Sequence, residues 1–261
     1  MRYLKLWLTF FRASWMADLE YRINIILRVI GEIIWYAAQL SVFEVLYLHT
    51  PAINGWDVHS MRVFMGSLFL VDVIHMILFS ENIDAMWSMV RKGDLDLYLV
   101  KPINSQFMVS FRKIGTTYLI NMMMVLGYVG WGISQLSRPI TWVDLGLYAF
   151  LLLCGTAIYY SLRFLFCCLL VLLQDASNLH FLWYQLFRLA QRPDAIYPTP
   201  LRWIVLTVFP IGFLASVPSR VLIEGLPLEL LLAAPLIALF LLFFSNWCWE
   251  KSLLRYSSAS S

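Results

Sequence analysis

The chain has 261 residues, of which 61% are apolar and only 13% are Lys, Arg, Asp or Glu. A soluble domain averages about 45–50% apolar and about 25% charged residues. With a mean hydropathy of +0.74, a water-soluble globular enzyme is excluded, and a net charge of +3 is too small to point to nucleic acid as a partner.

Residues 1–22 do not read as a cleavable signal. Charges recur at Arg2, Lys5, Arg12, Asp18, Glu20 and Arg22, and no small-residue cleavage site follows an early apolar core. At 100° per residue, Lys5, Thr9, Arg12 and Glu20 share one side of a helix, with Leu4, Trp7, Leu8, Phe11 and Trp15 largely on the other. That pattern predicts an interfacial helix lying on a membrane.

A bilayer-spanning helix needs about 20 mostly apolar residues. Five stretches qualify: 23–48 with Arg28, Glu32 and Glu44; 60–80 with Asp72 and His75; 114–137; 142–173 with Arg163 deep inside; and 228–250. Of the 19 basic residues, eleven collect at Arg2, Lys5, Arg12, Arg22, Arg91, Lys92, Lys101, Arg112, Lys113, Lys251 and Arg255, while the opposite loops hold Arg62 and Arg138. The bias predicts both termini on the cytoplasmic side. An even number of crossings then requires a sixth within 176–225. Either 177–196 crosses and 201–225 is a hairpin dipping in from outside, broken by Pro210 and Pro218, or 201–223 crosses and 177–192 lies on the cytoplasmic face. Charge bias favours the second placement.

The one sizeable polar segment is 81–113. Helical periodicity runs through Ile83, Met86, Trp87 and Val90 to a break at Gly93, followed by Leu95, Leu97, Tyr98 and Leu99 among charges. A short amphipathic element with exposed leucines is a docking knob for a soluble partner. The tail Ser257–Ser261 reads as disordered.

Catalytic and metal chemistry finds little support. Cys154, Cys167, Cys168 and Cys248 lie in apolar runs without disulfide or zinc spacing, and His49, His59, His75 and His180 are scattered. No G-x-S-x-G elbow occurs. Met122–Met124 reads as helix packing, and Gly127, Gly130 and Gly132 as sites of close helix contact.

The stretch Arg91-Lys92-Gly93-Asp94-Leu95-Asp96-Leu97-Tyr98-Leu99-Val100-Lys101-Pro102 resembles the R-x-G-T-L-E-x-L-L-V-x-P stretch of ABC-2-type ATP-binding cassette permeases. Asp94, Asp96 and Tyr98 depart from that pattern and point to a divergent branch. Tyr197-Pro198, Leu201-Arg202, Phe209-Pro210 and Pro218 resemble the same branch. The resemblance implies an all-α membrane domain of six spans, with 201–225 as the outer hairpin and 177–196 as the fifth span. It implies that Arg91–Asp96, Leu97, Tyr98, Leu99 and Pro102 form a coupling helix seated on an ATPase subunit, which drives export by alternating access.

The chain carries no G-x-x-x-x-G-K-[ST] phosphate loop, so ATP and Mg are expected on partner ATPase subunits and no cofactor in this chain. The expected partners are those subunits, a second copy or a paralogous permease, and membrane lipid. An ATP-independent secondary transporter or a lipid-handling enzyme is the alternative, but no internal repeat of the kind many secondary transporters show is visible.

Several polar residues are expected inside the membrane. Arg28 and Glu32 are spaced as a mutual pair. Asp72 and His75 share a face, and Arg163 is placed to lock onto Asp72 or Glu32, unless these residues line a substrate pathway. Asn178, Gln185 and Arg188 would line one side of the fifth span.

Overall fold

The computed structural model describes residues 2–20, 22–173, 177–225 and 228–256. The tail 257–261 and the side chains of Arg2, Arg22, Ser177 and His180 lie outside the described residues. The chain is an all-α protein, with one two-residue β-ribbon among the described residues, β1 (Ala52–Ile53) paired with β2 (Trp56–Asp57).

Four helices are long and apolar enough to cross a membrane: 23–49, 58–92, 142–173 and 228–253. The first lies within α2 (Arg22–His49) and is the least enclosed, with Ile23, Leu27, Ile34 and Leu48 exposed. The second joins α3 (Val58–His75) to α4 (Glu81–Lys92) through a wide π-helical turn at Met76–Ser80. The 60–80 span therefore does not end at Ser80, and the first third of the expected loop continues the helix. Asp57 caps α3 by accepting a hydrogen bond from the Ser60 backbone N–H at 2.9 Å. Burial works against ionisation of that carboxyl, yet the Ser60 hydrogen bonds outweigh it and hold the pKa below the usual value.

The expected 114–137 span is shorter than its hydropathy suggests. Gly115 closes against the Met76 backbone oxygen, a tight turn follows at Thr116–Tyr118, and only α7 (Leu119–Ser134) is α-helical. Its packing on α3 is close: a Cβ at Gly66 would stand 2.8 Å from Val129. Of the three glycines singled out in 114–137, Gly132 faces α3 at Val63, and Gly127 and Gly130 meet nothing within 4 Å.

Helix α8 (Trp142–Leu173) is the central post. Against it lies α12 (Leu228–Leu253), whose Ala234, Ala238, Leu241, Ser245, Trp249 and Ser252 form a buried stripe. The spacing of three, four and seven residues puts them on one face, and the small Ala234, Ala238, Ser245 and Ser252 let the backbones approach while Trp249 fills the gap at the far end. Pro235 lies inside α12, in its third turn, where it removes the backbone donor that would otherwise reach the Leu231 oxygen.

Between these posts the chain makes α9 (Ser177–Ala190), α10 (Thr199–Leu206) and α11 (Ser216–Ile223). At 1.5 Å per residue the two eight-residue helices each extend about 12 Å, so 201–223 is no continuous crossing helix. Their connection enters the core at Gly155 of α8, where a Cβ would stand 2.6 Å from the Phe213 oxygen. The buried Asp194 carboxylate holds both arms: it accepts from Arg220 Nη2 at 2.6 Å and from Arg202 Nε at 2.9 Å.

Segments 50–57, 135–141 and 194–223 meet at one end of the bundle. Asn54 donates to the Ala195 oxygen at 3.0 Å, and Arg138 donates to the Val221 oxygen at 2.9 Å. At the opposite end α1 (Arg2–Glu20) docks on the start of α7: Ser14 Oγ accepts from the Ile114 N–H, and Asp18 accepts from Thr116. Trp7 and Phe11 turn inward, while Leu4, Leu8 and Trp15 stay exposed.

Asp194→Ala leaves Arg220 buried without its counter-charge, at a cost of about 3–5 kcal/mol. The thermal unfolding midpoint of the purified protein is expected to fall sharply. An unchanged midpoint would show that the hairpin does not depend on this cluster.

Candidate functional site

Two features stand out, a braced platform at the α1 end of the bundle and a cavity beside it. The platform begins at the C-terminus of α4. Gly93 adopts the left-handed conformation, φ 76°, and the Leu95 N–H donates back to the Met89 oxygen at 3.4 Å. This Schellman-like closure reverses the chain and drives Leu95 inward. Leu95 is 0% exposed, packed with Ile83, Met86, Val109, Phe164 and Trp249. The expectation that Leu95 is an exposed docking residue is therefore corrected: the left-handed turn seats it in the core.

After that turn comes the single helical turn α5 (Asp96–Leu99). Leu97 is 64% exposed and Val100 81%. The Tyr98 ring is covered by Arg112 at 4.7 Å and Lys101 at 5.1 Å, which fixes α5 against the end of α6 (Ser105–Phe111). Leu99 is half-buried, and Arg91, Lys92, Asp94 and Pro102 are exposed around it. Trp87, under Arg91 at 5.2 Å, adds exposed apolar surface on α4.

The platform is bolted to the bundle by polar residues that the sequence did not single out. Asn82, fully buried, donates to the Ser110 and Lys113 oxygens and accepts from the Lys113 N–H. Gln106 donates to Tyr160 at 3.0 Å, and Ser110 and Tyr160 share a hydrogen bond at 2.8 Å. Trp249 Nε1 donates to Ser105 at 2.9 Å. These bonds tie α4 and α6 to α8 and α12. Both amides sit beside polar neighbours in the sequence, Glu81 and Asp84 around Asn82 and Asn104 and Ser105 before Gln106, so nothing local marked them as buried.

Ion pairs differ from expectation. Arg28 pairs with Glu81 at 2.7 Å, not with Glu32, and Lys113 joins the same carboxylate at 2.8 Å. Arg163 pairs with Asp84 rather than with Asp72 or Glu32, and its guanidinium lies 5.3 Å above Trp183. Both corrections have one cause: α4 carries Glu81 and Asp84 onward along the helix, within reach of α2 and α8. Arg62 binds the Glu44 carboxylate through two bonds, 2.7 and 2.9 Å.

The cavity, about 340 Å³ and open on one side, lies between α2, α3–α4, α8 and α9. Glu32, Asp72, His75, Asp84 and Arg163 line it together with Trp35, Tyr159, Trp183, Tyr184 and Phe187. Asp72 accepts from Tyr159 at 3.2 Å, and the His75 ring stacks on Tyr159 with centroids 4.1 Å apart. Arg28 and Arg188 are not among the lining residues; Arg188 is exposed and donates to Gln185.

A family model described as ABC-2 family transporter protein matches residues 33–260. The chain belongs to that family. The ABC-2 member is therefore a multi-pass membrane protein and a permease of an ATP-binding cassette transporter, a class in which the membrane subunit is typically non-catalytic and associates with an ATPase subunit. No curated protein and no solved structure matches the chain.

The Gly93 turn is testable by itself. Gly93→Val forces a β-branched residue into the left-handed region, at about 1–2 kcal/mol, and is expected to lower the thermal midpoint. Gly93→Asn, which tolerates that region, is expected to stay close to the parent. Equal effects of the two would refute the turn geometry.

Proposed function

We propose that this permease is the membrane half of an ATP-driven exporter. It crosses the bilayer six times with both termini cytoplasmic, and its 91–102 segment docks on the ATPase. ATP and Mg are held by partner ATPase subunits. Two permeases, either two copies or this chain and a paralogue, alternate between inward-open and outward-open states in the cytoplasmic membrane. The observation that carries the reading is the exposed Leu97–Val100 edge on a platform bonded to α8 and α12. A knob on a flexible loop would absorb a push, whereas one braced by buried hydrogen bonds transmits it.

Six crossings fit the ends of the bundle. With α1 and the platform at the cytoplasmic end, segments 50–57, 135–141 and 194–223 gather at the outer end, where their mutual hydrogen bonds lie. Helices α10 and α11 are too short to cross, which supports 177–196 as the fifth span and 201–225 as the outer hairpin. Helix α9 alone extends only about 21 Å, so the crossing is completed by the 191–196 segment.

Leu97→Asp and Val100→Asp are expected to lower transport at least about tenfold, the scale of one interface hot spot, with membrane insertion and thermal midpoint unchanged. Leu97→Cys is expected to cross-link to the ATPase in the assembled complex. Normal transport by both aspartate variants would reject the docking assignment. Leu95 is unsuitable as a probe because its loss damages the core.

For the topology, Arg192→Cys is expected to react with an impermeant thiol reagent added from outside the cell. Labelling from the cytoplasmic side alone would overturn the fifth-span placement.

A further inference from the structure

The cavity beside the platform has a charge imbalance. Asp84 is neutralised by Arg163, but Glu32 and Asp72 have no ion pair among the described residues. Asp72 is buried with Tyr159 as its hydrogen-bond donor. Unpaired carboxylates in a membrane-embedded wall are costly, and a cation between them lowers that cost.

The rest of the wall is aromatic and ordered. Tyr159 stacks in parallel with Trp183 and Phe187, centroids 5.6 and 5.1 Å apart and planes 13° apart in both pairs. The chain's own Arg163 already rests its guanidinium on Trp183 at 5.3 Å, so this wall is positioned to meet positive charge with a π face. A further polar atom waits there: His75 Nε2 is buried with no hydrogen-bond partner. The volume, about 340 Å³, falls in the range of small-molecule sites.

We infer that this cavity is the binding site for a lipophilic organic cation, held by Glu32 and Asp72 and flanked by the Tyr159–Trp183–Phe187 stack. The inference rests on the export reading and supplies its substrate class. The two carboxylates provide charge selection, the stacked rings provide desolvated contact, and the open side lets the ligand enter without crossing the packed core. An anion of the same shape meets two repelling carboxylates and is rejected.

The test uses the permease assembled with its ATPase in nanodiscs of neutral lipid, with tetraphenylphosphonium as probe and equilibrium dialysis as readout. Saturable binding is expected. Glu32→Gln and Asp72→Asn should each weaken it about tenfold, and Glu32→Asp should restore most of it. Tetraphenylborate, the isosteric anion, should show only non-saturable partitioning into lipid. Glu32 is half-buried, so Glu32→Gln decides the matter even where Asp72→Asn fails to fold. Absence of saturable binding, binding unchanged in Glu32→Gln, or equal competition by tetraphenylborate would each overturn the site. ATP hydrolysis measured on the same samples separates the two claims. Saturable cation binding without coupled hydrolysis rejects the export reading and leaves the site standing. Coupled hydrolysis without cation binding does the reverse.

Discussion

A hydrocarbon layer about 30 Å thick sets the constraint from which the architecture follows. Two helices exceed it by a wide margin. The 58–92 helix has 35 residues and α8 has 32, about 52 and 48 Å at 1.5 Å per residue. Tilting cannot absorb this, because fitting 52 Å into 30 Å needs an inclination beyond the roughly 40° limit of known spans. The surplus must project from the membrane. In the proposed topology it does so at the end where α1, α5 and α6 gather, and it supplies the walls on which those elements sit. Without the π-helical continuation at Met76–Ser80, α4 would have no rigid base and Leu95 no core to enter.

Burying polar groups at that depth requires that each be matched. Asn82, Gln106, Ser110 and Tyr160 satisfy one another and the backbone around them. Glu81 collects Arg28 and Lys113, and Asp194 collects Arg202 and Arg220. The two carboxylates do the same job at opposite ends: each joins elements distant in sequence that apolar packing alone would leave free to slide. Leu, Val and Ile contacts are non-directional, whereas an ion pair with two partners admits one register. Glycine serves a parallel purpose at Gly66 and Gly155, where a single methyl group would push α7 or the hairpin away.

How much of this was legible in the residues depends on whether the signal was local. Helix identity and the break at Gly93 are local properties of hydropathy and backbone stereochemistry, and they could be read directly; the prolines of 198–218 marked an interruption, but local signals left two placements open there. The extent of the second long helix could not, because Glu81 and Asp84 end the hydropathic run without ending the helix. That single ambiguity misplaced two ion pairs, since Arg28 and Arg163 reach across to those carboxylates rather than along their own helices. The leucines of 95–99 show the same limit. Their amphipathic spacing marks a docking element, but which leucine faces inward is decided by the left-handed residue two places earlier. The platform amides were invisible for a third reason: an Asn or Gln reveals its importance only when its partners, here some 30–140 residues away, are brought beside it.

The platform and the cavity share their walls. Asp84 is on α4 and lines the cavity; two turns onward the same helix reaches the Gly93 turn. Arg163 closes the cavity from α8, and one turn earlier Tyr160 receives the platform's hydrogen bonds. In the proposed exporter, a displacement of α5 by the ATPase cannot be confined to the loop, because α4 is continuous with the cavity wall. Either α4 moves relative to α8, which strains the Arg163–Asp84 pair, or the two move together and the cavity opens against α2 and α9 instead. The packing favours the second course. Helices α4 and α8 are joined by an ion pair and a common apolar cluster, whereas α2 is largely exposed along its length and is tied to α4 through the Arg28–Glu81 bridge without such a cluster. The weak seam of the molecule therefore lies along α2, at the wall that carries Glu32.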